Sequence, residues 1–341
     1  MCILLKSETL TLQREANVKT IRNISNLFNL NPLLAVVLLI VTVLAIITSI
    51  PGCSSDSESE ETKVSSENPI TVIDALGQEL SFTSVPEKIA TISPTATEML
   101  YAAGGTSILR DRASNFPSEA ASLPDVGSAY NPSMETIMST QPDLVIIEAL
   151  TQARFVGPLS QSGLKVLAVK AETKEDIISG ISNLGTILNT ENIANKKTED
   201  IVERLDAAKS DDDRSVLILI SDQDQSLYAA RPESYTGLIA ELVGLHNKAE
   251  GLPDSGPFPG FALVSPEFIL GADPDIILTI SPAPEPAPRL SDSIKRIPPF
   301  ARLTAIQQNN VFEADVTLFL QSPGPRIVDA VEFLDQKVNS N

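Results

Sequence analysis

Two segments of this chain, 132 residues apart, follow one pattern. Residues 133–147 read SMETIMSTQPDLVII, and residues 265–279 read SPEFILGADPDIILT. Both fit Ser-x-Glu-x-Ile, four residues, then Pro-Asp and an aliphatic run, with no gap between the copies. Ile137 and Met138 in the first copy, and Ile269 and Leu270 in the second, predict a short helix in each. Pro142 and Pro274 end it, because a proline disfavours helical backbone at the residue before it. The runs LVII and IILTI then read as buried parallel strands, apolar on both faces. Ser133 and Ser265 are placed to cap the helices, with Glu135 and Glu267 in the first turns. A chain with such a repeat is expected to fold as two units of similar build.

The remaining segments agree with an α/β reading. In the first half KIATIS (88–93) predicts a strand, TATEMLYAAGG a helix closed by Gly104, and LKVLAV (164–169) a further strand. In the second half SVLILIS (215–221) predicts a strand, SYTGLIAELVG (234–244) an amphipathic helix closed by Gly244, and NNVFEAD (309–315) a late strand. ITVIDALGQELSF (70–82) reads as a small hairpin ahead of them. The expected fold class is α/β: two Rossmann-like lobes with parallel sheets, spanning 70–189 and 211–341. Between them TENIANKKTEDIVERLDAAKS (190–210) has no Gly or Pro and places Ile193, Ile201, Leu205 and Ala208 on one side. It predicts a single long helix of about 30 Å, with Thr190 as its cap. Such a connector predicts a stiff molecule that closes little on a ligand.

The N-terminal end carries a different message. Leu33 to Ile50 is an uncharged apolar run with Lys6, Arg14, Lys19 and Arg22 before it. That is the charge layout of a secretory signal, yet the run is also long enough to span a membrane. Ile50-Pro51-Gly52-Cys53 resembles a bacterial lipobox, with a small residue before the cysteine. Residues 1–52 are therefore expected to be a signal peptide ending in a lipobox, and Cys53 the lipidated residue of the mature chain. The alternative is a retained membrane span. Two or more acyl chains anchor stably where one does not. SSDSESEETKVSSENP (54–69) holds six Ser, five acids and one Lys. It is expected to be a disordered tether, with a reach of about 20–25 Å. The protein is thus expected at the outer face of the cytoplasmic membrane, anchored by lipid.

Residues 1–52 hold four Lys/Arg and two Asp/Glu, which leaves 21 basic and 42 acidic residues and a net charge of −21. That argues against nucleic-acid binding, which requires a basic face.

Three segments resemble the periplasmic binding proteins of iron-chelate and cobalamin importers, the helical-backbone class of ABC transporter receptors. VPEKIATISPTATEMLYAAGG resembles the family's first strand and helix, LPDVGSAYNPSMETIMSTQPDLVI its loop, helix and second strand, and FLQSPGPRIVDAVEFL (319–334) its closing segment. The resemblance runs over about 69–337, in the family's order. It implies a monomeric receptor that captures a metal chelate, a corrinoid or a ferric siderophore, and passes it to an ABC permease dimer with its ATPase subunits. It also implies that Glu135 and Glu267 pair with permease arginines, one per lobe. Two such pairs can fix orientation and speed docking. Glu98, in TATEML, is read as structural.

The ligand is expected between the lobes, near the C-terminal ends of the strands. Asn115, Phe116, Tyr130, Tyr228, Arg231, Phe261, Thr317 and Leu318 are the candidate contacts. Tyr228 and Phe261 match positions at which cobalamin binders of the family use aromatics, although this chain has no tryptophan. Arg112, Arg231 and Arg326 are candidates to pair with anionic groups of a siderophore, and Arg326 has a structural role as its alternative. The proline-rich SPAPEPAPRL (281–290) reads either as a rigid lip or as a spacer.

Bare-metal receptors need several His and carboxylate ligands, whereas the chain has a single His, His246. A metal would arrive already chelated, and no cofactor is expected. A haem receptor using a Tyr ligand stays open. The rival class is a secreted enzyme of two Rossmann-like lobes. The chain has no G-x-G-x-x-G after a strand, no P-loop and no G-x-S-x-G elbow. A lipid-tethered adhesion module is the third class.

Overall fold

In the computed structural model, which describes residues 69–209, 212–283 and 286–339, both copies of the repeat fold alike. The N-terminal hairpin pairs β1 (Ile70–Ile73) with β2 (Glu79–Phe82). Strand β3 (Ile89–Thr91) leads into α1 (Pro94–Ala102), which Ser93 caps by accepting from the Ala96 N–H. A short hairpin, β4 (Gly127–Ser128) and β5 (Asn131–Pro132), precedes α2 (Met134–Thr140) and β6 (Leu144–Glu148). Helices α3 (Ala149–Gln152) and α4 (Val156–Gln161), strand β7 (Val166–Val169) and helix α5 (Lys174–Leu188) complete this lobe. Its sheet is parallel, in the order β3-β6-β7.

Helix α6 (Glu191–Ala208) connects the lobes. The second lobe comprises β8 (Ser215–Ser221), β9 (Leu227–Ala230), α7 (Tyr235–Val243), β10 (His246–Asn247) and β11 (Phe261–Val264). It continues with α8 (Pro266–Ala272), β12 (Ile276–Ile280), α9 (Leu290–Lys295), α10 (Thr304–Gln307), β13 (Val311–Ala314) and α11 (Ile327–Asn339). Its sheet runs β11-β9-β8-β12-β13, with β10 also on β8. The β8, β10, β12 and β13 pairings are parallel. Strands β9 and β11 pair antiparallel and make this sheet mixed.

The repeat has a physical basis in each lobe. Ser133 and Ser265 accept hydrogen bonds from the Thr136 and Phe268 N–H groups and cap α2 and α8. Ile137 and Ile269 are both fully buried. Gln141 and Asp273 close the helices in left-handed conformation, φ +48° and +36°. The aspartate after each proline has a matching task. Asp143 accepts from the Glu87 and Lys88 N–H groups at 3.0 and 2.8 Å, at the entry to β3. Asp275 accepts from the Ser215 N–H and hydroxyl at 2.8 and 2.6 Å, at the entry to β8. Each Pro-Asp therefore fixes the start of its helix-linked strand against the first strand of the lobe's sheet.

The connecting helix grips both lobes. Its buried stripe is Ala194, Thr198, Ile201 and Leu205, and Ile193, expected on that side, is 52% exposed. Thr190 does not cap it: the hydroxyl donates to the Ala103 carbonyl at 2.7 Å and ties the helix start to the end of α1. Helix α5 turns back on α6 at Gly185, where an added Cβ would stand 2.4 Å from that of Ala194. At the other end Arg204 donates to Asp329 and Glu332 of α11, each at 2.8 Å.

Cys53, the apolar run Leu33–Ile50 and the acidic tether lie outside the described residues. No described helix is long and apolar enough to cross a membrane.

Candidate functional site

The lobes meet across a groove of about 1040 Å³. Its walls are α1 and the 116–119 loop of the first lobe, the outer face of α6, and the start of α11 in the second lobe. That volume stands at the upper end of the roughly 300–1,000 Å³ that suits small-molecule ligands. Phe116, Tyr101 and Ile193 supply apolar surface, and Lys196 lies exposed on the rim.

Buried polar chemistry holds the first wall. Asp111 is fully buried. Its carboxylate accepts from the Ala113 N–H at 2.8 Å and from the Ser114 hydroxyl. Thr97 on α1 donates to Ser114 at 3.0 Å and pairs with Thr91 of β3 at 2.7 Å. Burial pushes the Asp111 carboxyl above its ordinary value, against the bonds from Ser114 and Ala113. This network fixes the stem of the loop that carries Asn115 and Phe116. Asn115 is exposed at the turn, and its amide donates to the Ala113 carbonyl at 3.3 Å.

One ion pair crosses from lobe to lobe in this groove. Arg326 Nε donates to Glu98 Oε2 at 2.9 Å, and Nη2 to Oε1 at 2.5 Å. Glu98 is 4% exposed. Burial raises its carboxyl above the ordinary range, against the pull of the guanidinium. The same guanidinium lies 4.4 Å from the centroid of the Phe116 ring. The hydroxyl of Tyr235 is buried nearby, beside the Gly324 backbone. Glu98 thus engages the Arg326 guanidinium, which is committed to it rather than free for an anionic ligand.

The other sequence candidates divide. Tyr130 is 65% exposed at the tip of the β4–β5 hairpin, whose backbone is held by Arg154 and Gln152. Thr317 and Leu318 are half-buried in a π-helical turn, Thr317–Gln321, after the C-terminal end of β13. Three candidates are corrected. Phe261 is a core residue, 1% exposed, because FALV is the edge strand β11 and not a loop. Tyr228 is 7% exposed within β9, and its hydroxyl donates to Asp222 at 2.9 Å. Arg231 pairs with Glu233 at 3.1 Å and Asp254 at 3.7 Å. Arg112, by contrast, is 74% exposed, with Asp125 at 3.8 Å. Sequence reasoning missed Phe258, a half-exposed ring that packs edge-on against both Tyr228 and Phe261. Its signal is the run PFPGF (257–261), which holds both rings.

Glu135 and Glu267 are both exposed, on matching first turns of α2 and α8. The Glu267 carboxyl is held below its ordinary range by its own backbone N–H and by the Ser265 hydroxyl. Among the described residues no group of three or more His, Cys, Asp or Glu is arranged to hold a metal ion.

Comparisons with known proteins agree with this architecture. The sequence profile of the periplasmic binding protein family matches residues 89–317. An uncharacterised ABC transporter substrate-binding lipoprotein of Bacillus subtilis is 24% identical over 303 residues, 84% of this chain and 92% of its own length. A cobalamin-binding protein of Halobacterium salinarum is 24% identical over 274 residues, covering 76% of this chain and 72% of that protein. The crystal structure of the periplasmic vitamin B12-binding protein of Vibrio cholerae aligns with a TM-score of 0.63 at 23% identity, over 75% of this chain and 98% of that one.

Proposed function

The chain belongs to the periplasmic binding protein family, and we propose that it is the substrate-binding component of an ABC importer. In this reading it captures a metal chelate between its lobes and delivers it to a membrane permease. The observation that carries the reading is the matched pair α2 and α8. Each lobe offers one short helix with a serine cap, an exposed first-turn glutamate and a buried isoleucine. Packing needs the isoleucine, and capping needs the serine. Both glutamates are exposed, and although the Glu267 carboxyl also meets its own N–H and the Ser265 hydroxyl, each is accessible to a cation on a partner.

The ligand is a corrinoid or a ferric siderophore, with the corrinoid preferred. The groove volume supports a large ligand, and a cobalamin-binding protein is among the relatives. Of the proposed contacts Phe116 lines this groove, whereas Asn115, Tyr130, Thr317 and Leu318, which stay proposed, lie outside its lining. Haem is the second reading, favoured by the exposed phenol of Tyr130. The protein carries out no reaction itself, and ATP hydrolysis belongs to its partner. Lipidation at Cys53 and the 54–69 tether hold the monomer at the outer face of the cytoplasmic membrane. The named lipoprotein relative supports that placement.

The test is the double variant Glu135→Arg/Glu267→Arg. Uptake of labelled cobalamin by cells of the source organism is expected to be lost, with affinity for the chelate unchanged. Undiminished uptake would remove the docking role of the two glutamates.

A further inference from the structure

We propose that Glu98 and Arg326 are positioning residues for ligand capture, which hold the Phe116 ring as a fixed platform in the groove from across the lobe boundary. The inference rests on the reading of the groove as a ligand site.

An aromatic side chain on an exposed loop is normally free to change rotamer, and ordering it on binding costs entropy. Phe116 is 47% exposed and lines the groove, yet it is held at both ends. Its loop stem is tied to α1 through Asp111, Ser114 and Thr97. Its ring is covered on one side by the Arg326 guanidinium, at 4.4 Å. That guanidinium is planar and is fixed edge-on by the fork of bonds to Glu98. An edge directed at the carboxylate leaves a face for the ring. Thr97 and Glu98 are neighbours on α1. One residue secures the loop stem within its own lobe, and the next secures the ring through an arginine of the other lobe.

Stability alone is a weak reason for this pair. A buried ion pair is often no better than apolar residues of the same volume. The raised Glu98 carboxyl shows that its burial is costly. What an apolar contact would not supply is orientation. A preformed ring removes an ordering cost from binding. It also makes ligand affinity depend on the register of the two lobes.

Full-length protein in detergent micelles, with cobalamin, haem and a ferric siderophore as probes, provides the test. Glu98→Gln, Arg326→Lys, Phe116→Leu and the double variant Glu98→Gln/Phe116→Leu are compared with wild type. Arg326→Lys keeps the charge opposite Glu98 but not the flat face, so it isolates stacking even where Glu98→Gln folds poorly. Both single variants of the pair are expected to speed hydrogen exchange over residues 112–119 without ligand. They are also expected to weaken binding about tenfold, the order of one aromatic contact. In the Phe116→Leu background Glu98→Gln should add no further loss, because the two act through one contact. Binding that the pair variants retain in full, or losses that add independently, would overturn the positioning role and leave the ligand reading standing. Failure of wild type to bind any of the three probes would overturn that reading and the proposal with it.

Discussion

Asp275 shows how one side chain of the repeat carries structure. It accepts two short hydrogen bonds from Ser215 at the entry to β8, and those bonds hold its carboxyl below the usual 3.8. A carboxyl with a depressed folded value stabilises the fold above its unfolded value, and that stability is lost as pH falls through the folded one. Asp275→Asn should therefore cost about 1–3 kcal/mol near neutrality, the loss of charge-assisted bonds. Its deficit against wild type should shrink below pH 3.8. Denaturant melts at pH 7 and pH 3 check both statements; a deficit that does not change with pH would show that the charge does not contribute. Asp143, in the same place in the first lobe, accepts instead from two backbone N–H groups, those of Glu87 and Lys88. The Pro-Asp pair was visible in the sequence at this scale, but its task was not, because the partners stand 60 and 55 residues away. The Glu98–Arg326 contact spans 228 residues, which is beyond any local pattern.

Elements were legible where their pattern was local. The strands β6, β8 and β12, the helices α2, α7 and α8, the hairpin and the connector all follow the apolar runs and caps that predict them. Helix α5 did not, because Gly180 and Gly185 weaken its helical signal. In the fold those glycines are spacers. A Cβ at Gly180 would stand 2.9 Å from the Met99 sulfur, and at Gly185 2.4 Å from the Ala194 Cβ. Gly185→Ala should consequently destabilise the protein, although alanine is the better helix former by about 1 kcal/mol. Gly271 on α8 has nothing within 4 Å of an added Cβ, so Gly271→Ala should stabilise by up to about 1 kcal/mol. Thermal melts of the two variants should move in opposite directions; an upward shift for Gly185→Ala would refute the close approach of α5 and α6. Strands β9 and β11 have no such local pattern. LYAA and FALV are four residues each, too short for a period to show, and they become strands only through pairing with each other and with β8. Their pairing places Tyr228 and Phe261, candidates for the ligand by resemblance, in the core.

At the scale of the molecule, the described residues form two lobes joined by helix α6, with a second tie at Glu98–Arg326. Helix α6 is about 27 Å long at 1.5 Å per residue, pinned at Ala103 and at α11. The lobes should then move little on binding, which suits a receptor that presents two glutamates at a set spacing. Spin labels on Ser139→Cys and Gly271→Cys, in a chain that begins at Ser54 and so lacks Cys2 and Cys53, report that spacing. A single narrow distance, unchanged by saturating chelate, is expected; a broad or shifting one would refute a stiff connector. The central claim is that this is a chelate receptor, and a thermal-shift panel of cobalamin, cobinamide, haem and ferric siderophores on residues 54–341 tests it most directly. A ligand at about 100 times its dissociation constant adds about 2.7 kcal/mol to stability. The account predicts a clear upward shift with one chelate class and none with nucleotides. No shift with any chelate, together with a shift on adding a nucleotide or sugar nucleotide, would contradict it and point to a two-lobed enzyme.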